Sequence, residues 1–193
     1  ISGTVTNAQT GVPLQYVYIY AYDYTTSAFG GSVASDETGA YAISGLPAGQ
    51  YKITFNPDGW FYPDLISEWY NNRRTQDTAD PVTVTAGETT TNIDAALEEG
   101  GKITGRVTDS LTYAGLPDVE VCARTVTNWY VDCAFTQADG SYTLSGLGAD
   151  TYRLEFMPSS TSFYSSIWYN SKPYFEQADP VIVPDNTTVS GID

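Results

Sequence analysis

The chain has 193 residues, 41% hydrophobic and 16% charged, a composition on the folded side of the boundary with disordered chains. Its 23 acidic and 8 basic residues leave a formal net charge of −15, which repels phosphate backbones and anionic headgroups and disfavours nucleic acid and membrane-surface partners. Histidine is absent, which excludes Ser–His–Asp triads, His-ligated metals and imidazole acid–base catalysis.

Strand signals recur every eight to twelve residues or so, the rhythm of an all-β sandwich. In the first half they predict strands over 1–7, 15–24, 28–36, 40–44, 49–56, 81–85 and 90–97. Within the second of these, Val17, Ile19 and Ala21 alternate with Tyr16, Tyr18, Tyr20 and Tyr22, so the aliphatic set faces a core and the tyrosines form an outward row. Exposed rows of aromatics commonly mark an interface, with another module, another chain or a ligand. Thr38-Gly39 and Asp139-Gly140 mark tight turns. Between Phe55 and Pro81 the alternation lapses in a long, aromatic-rich connection, which must be packed against something or used for something.

The pattern then repeats, about a hundred residues on. Ile1-Ser-Gly-Thr-Val-Thr-Asn7 returns as Ile103-Thr-Gly-Arg-Val-Thr-Asp109, Trp69-Tyr-Asn71 as Trp168-Tyr-Asn170, and Ala79-Asp-Pro-Val82 as Ala178-Asp-Pro-Val181. Such a period predicts two small sandwiches, over 1–98 and 103–193, joined by a short linker over 99–102. The second repeats the inward set as Val119, Val121 and Ala123 but not the tyrosine row. Its last strand reads as incomplete, stopping at Gly191-Ile-Asp193, so that a longer parent or a neighbouring molecule would complete it. Cys122 and Cys133 are centred on a turn at Thr127-Asn128, which predicts a cross-strand disulfide and an oxidising location.

Gly3-x-Val5-Thr6, Gly11-x-Pro13-Leu14-x-x-Val17, Gly39-x-Tyr41 and Gly45-Leu46-Pro47-Ala48-Gly49-x-Tyr51 resemble the carboxypeptidase regulatory-like domain, and the second half matches through Gly105, Val107, Asp139-Gly140-x-Tyr142, Gly146-Leu147 and Tyr152. The resemblance implies two tandem seven-stranded transthyretin-like (Ig-like) β-sandwiches, related to the Cna-B-type modules of bacterial surface stalks. It carries no catalytic residue with it. At Gly148-Ala149-Asp150 the Pro-x-Gly turn of the first copy is lost.

Three kinds of site remain candidates. Trp69, Tyr70, Asn71 and Trp168, Tyr169, Asn170 form glycan platforms, with rings stacking on sugars and amides bonding hydroxyls, or else the tryptophans cap the sandwich ends while the asparagines fix the loops. Asp36, Glu37, Asp80, Asp139 and Asp179 are loop carboxylates of the type a structural calcium needs, or else turn acceptors. An isopeptide cross-link would need an inward lysine: Lys52 alternates with Tyr51 and Ile53 and so faces solvent, which leaves Lys102 with Asn92. Asn186-Thr-Thr188 is a glycosylation sequon. No cofactor is expected. The reading is a non-catalytic extracellular or cell-surface module, a stalk, adhesin or filament subunit. It would act by packing against copies of itself or neighbouring modules and by strand addition, without membrane insertion. The alternative is a carbohydrate-binding appendage of a secreted enzyme.

Overall fold

The computed structural model describes residues 1–160 and 162–193. The chain divides into two compact units, Ile1–Glu99 and Gly100–Asp193, each with its own core.

In the first unit, β1 (Ser2–Asn7) lies between β4 (Ala40–Ala42) and β8 (Ala95–Leu97) in a three-stranded sheet. The facing sheet runs β3 (Phe29–Ala34), β2 (Val17–Asp23), β5 (Gly49–Pro57), β6 (Glu68–Trp69), and β7 (Val82–Val84) also pairs with β5. β6 and β7 share one edge of β5, pairing with Thr54–Phe55 and Gly49–Tyr51 in turn. β1 and β8 are parallel, and the other pairs are antiparallel. The core is the expected alternation: Val17, Ile19 and Ala21 of β2 and Ile53 and Phe55 of β5 are fully buried against Val5 and Leu97.

The second unit repeats this order. β9 (Gly101–Arg106) sits between β12 (Ser141–Leu147) and β16 (Thr188–Val189). β11 (Tyr130–Phe135), β10 (Glu120–Thr125), β13 (Asp150–Met157) and β14 (Ile167–Trp168) form the larger sheet, with β15 (Val181–Val183) on β13. Ile103, Val121, Ala123, Leu144 and Leu154 fill its core.

Backbone geometry departs from the sequence reading in four places. Among the described residues each unit has eight strands, because the two-residue β6 and β14 fall within stretches expected to be irregular. The strand expected over 90–97 is regular only at Ala95–Leu97: Asn92 adopts φ 62° and bends the run, and Gly191, with φ 75°, does the same in the second unit. Tyr16 also has a positive φ and precedes β2 rather than belonging to it. β9 begins at Gly101, so the last two residues of the expected linker are in a strand.

The repeated motifs are backbone clamps. A Cβ on Gly3 would lie 2.1 Å from the Ile93 carbonyl oxygen, and one on Gly105 would lie 1.8 Å from that of Ile192, so the glycine of each Gly-x-Val is a close approach that no side chain permits. The same two carbonyls accept hydrogen bonds from the buried Tyr41 and Tyr142 hydroxyls, both at 2.6 Å. Tyr51 donates to the Pro47 carbonyl at 2.9 Å and Tyr152 to that of Gly148 at 2.6 Å, so the second turn keeps its clamp without the proline.

Candidate functional site

On β2 the tyrosines do face outward. Tyr18 is exposed, while Tyr20 and Tyr22 are half-buried because they lean on neighbours. Tyr22 is the hub, with ring centroids 6.4 Å from Tyr20, 6.1 Å from Phe29 and 5.9 Å from Trp69. Tyr16, off the strand, stacks on Phe61 at 5.0 Å, at an end of the row away from Trp69.

Trp69 is opposite Thr54 on the outer face of β5. Reciprocal backbone bonds between Trp69 and Arg73 close a tight loop, in which Asn71 and Asn72 take the left-handed conformation. The Asn71 amide donates to Asp80 Oδ2 at 2.7 Å, and Arg73 pairs with the same carboxylate at 3.1 Å. The Tyr70 amide donates to the Ile53 carbonyl, and its ring packs on the core. The second unit repeats the backbone and asparagine bonds: Trp168 with Lys172, Asn170 to Asp179 at 2.7 Å, and Tyr169 to Leu154. Trp-Tyr-Asn and Ala-Asp-Pro are thus two halves of one clamp. The Asn71 amide, and then the Arg73 guanidinium, hold the Asp80 carboxyl below its ordinary value.

Asp36 and Asp139 are also spent locally, accepting from Thr38 and Ala40 and from Ser141, which lowers both pKa values. Glu37 is exposed beside its turn. None of these acids belongs to a group of three ligand-type side chains among the described residues. Among the described residues, the group of three ligand-type side chains within reach of one another is Glu120, Cys122 and Cys133. Its two sulfurs are joined in a disulfide across directly paired positions of β10 and β11. Lys52 lies over the Tyr24 ring at 5.0 Å, on the outer side of its strand. Lys102 is in β9 opposite Thr188, and Asn186 is exposed with a positive φ.

Beside the Tyr22–Trp69 ring pair a cleft of about 370 Å³ opens, lined also by Thr54, Asn56, Ser67, Arg74 and Gln76. Thr54 Oγ1 donates to the Glu68 carbonyl at 3.1 Å and lies 3.0 Å from Asn56 Oδ1. Arg74 is paired with Glu98 at 2.8 Å. At the equivalent place in the second unit, Trp168 is buried under the Arg124 guanidinium and the edge of Phe175, and Arg124 is paired with Glu155. Arg153 covers the Phe175 ring.

Sequence reasoning passed over the cleft's polar residues, although Thr54 and Asn56 alternate with the inward Ile53 and Phe55 and so had to face outward. It also passed over Glu68, which is 4% exposed with Oε1 unpartnered. Burial, and then the nearby Glu98, push its carboxyl up to about 7, against the pull of Arg74. The signal was available: with Trp69 outward, the preceding residue points into the core.

Two facing sheets of three and five strands, repeated, define a tandem β-sandwich protein. The model of the carboxypeptidase regulatory-like domain matches residues 1–98, and the chain belongs to that family. A search of curated proteins gives no match. Among solved structures it is similar to the Bacillus anthracis TIE protein (14% identity, TM-score 0.39, covering 98% of this chain and 33% of that one). It is also similar to a Streptococcal ancillary pilin (14%, 0.48, 96% and 61%) and to the shaft pilin SpaA from Lactobacillus rhamnosus GG (10%, 0.43, 97% and 93%). The chain thus spans about a third of the first and three fifths of the second. At these identities the likeness is one of general strand arrangement. No helix among the described residues is long and apolar enough to cross a membrane.

Proposed function

We propose that this chain is a non-catalytic structural module of an extracellular or cell-surface protein, whose work is spacing and assembly by packing against neighbouring modules or further copies of itself. The observation that carries this reading is the doubled clamp: Asn71–Asp80 and Asn170–Asp179 tie loop to loop, and Asp36 and Asp139 hold turn backbone, in both units. We read each unit as a transthyretin-like plan of seven strands to which the two-residue β6 or β14 is added. The disulfide suits an oxidising location. Tyr16, Tyr18 and Phe61, exposed together at one end of the aromatic face, are the surface offered to a neighbour.

Sedimentation velocity over a range of protein concentrations, with electron microscopy of the same samples, tests the assembly. Reversible association or filaments, weakened in Phe61→Ser, are expected. A monomer at every concentration overturns packing between copies.

A further inference from the structure

We propose that the first unit alone carries a binding site for a neutral polysaccharide, in the cleft beside Tyr22 and Trp69. Three observations lead there. The cleft's volume of about 370 Å³ falls in the range of small-ligand sites, roughly 300–1,000 Å³. One side is an aromatic surface made by Tyr22 and Trp69, whose rings touch each other at 5.9 Å and 46°, and an exposed aromatic face of this kind stacks on the C–H face of a pyranose. The rest of its border includes hydroxyl and carboxamide groups with hydrogen-bonding capacity to spare: Asn56 places Oδ1 near Thr54, and its Nδ2, the Ser67 hydroxyl and the Gln76 amide have no partner among the described residues. An aromatic side with neutral donors and acceptors matches a polyol better than an ion. The charged group in the lining, Arg74, is engaged by Glu98, and a chain of net charge −15 repels acidic sugars.

The second unit supplies an internal control. Strand registers and loop spacing place Arg124 where the first unit has Tyr22, Glu155 where it has Thr54, Met157 where it has Asn56, and Phe175 where it has Gln76. Three of these replacements close the site. The Arg124–Glu155 pair spans the equivalent surface, Phe175 meets the tryptophan edge-on at 5.3 Å, and Trp168 is left 8% exposed. The tryptophan itself therefore does not distinguish a site from a scaffold position. What surrounds it does, and only Trp69 remains accessible at the wall of a cleft.

The test is affinity electrophoresis of the 193-residue chain through native gels containing mixed-linkage β-glucan, arabinoxylan, galactomannan or starch. Retardation by at least one polysaccharide is expected, unchanged in Trp129→Ala, which removes an exposed indole of the second unit. Trp69→Ala and Gln76→Phe should each weaken it by about tenfold, the loss of one stacking contact or of the space for it. Gln76 borders the cleft without joining the core, so Gln76→Phe tests the site at unchanged melting temperature even if Trp69→Ala loosens the fold. Migration unaffected by all four polysaccharides overturns the proposal, as does retardation that survives Gln76→Phe.

Discussion

Glu68 shows how far one residue's surroundings decide its chemistry. Its carboxyl is enclosed in the first unit, with the negative Glu98 nearby and Arg74 only partly compensating. Because its folded pKa is raised from 4.5 to about 7, the native state holds the proton more tightly than the unfolded chain does. The resulting stabilisation is fully present below pH 4.5 and is lost as pH rises through about 7. Glu68→Gln removes the titration. It should therefore be more stable than the parent at pH 8 relative to pH 5, by on the order of 1–2 kcal/mol, measured by urea unfolding at the two pH values. An identical difference at both would show that the carboxyl does not titrate there. Asp109 is the opposite case: bonds from Thr112 and Tyr164 hold it down to about 2, so it stays ionised until strongly acidic pH.

At the scale of elements, β11 is an edge strand of its sheet, and Cys122–Cys133 fastens it to β10 at the register position where the first unit pairs Tyr20 with Ser32. Closing a loop of eleven residues' separation is worth about 3 kcal/mol through restriction of the unfolded chain. Reduction, or replacement of both cysteines by serine, should lower the melting of the second unit and leave the first unchanged, as read by calorimetry. Elements with sustained alternation were legible in the sequence, β2 and β5 above all, and so was the hairpin turn, since the cysteine positions are symmetric about it. β6 and β14 were not, because two residues carry no period and their pairing depends on the free edge of β5 or β13. The tryptophans were legible as important but ambiguous in role. Their exposure is set by Gln76 or Phe175 seven residues on, and by Tyr22 or Arg124 from another strand, a difference that only the folded register brings together. The partnership of Asn71 with Asp80 was hidden for the same reason.

At the scale of the molecule, two cores in one acidic chain predict two folding units. Residues 1–99 include a complete cluster from Ile1 to Leu97 and every strand that buries it. Expressed alone, this segment should unfold in a single cooperative thermal transition, and a broad, non-cooperative melt would show that it needs the rest of the chain.

The pairing of Gln76 with Phe175, and of Tyr22 with Arg124, has a consequence for how such an array diversifies after duplication. These positions lie on the side of the sheet turned away from the hydrophobic core, so one copy can drift towards recognition while its sister is sealed, with the inherited framework of glycines, tyrosines and asparagines left intact. Selection for a new ligand and selection for folding then act on separate sets of codons.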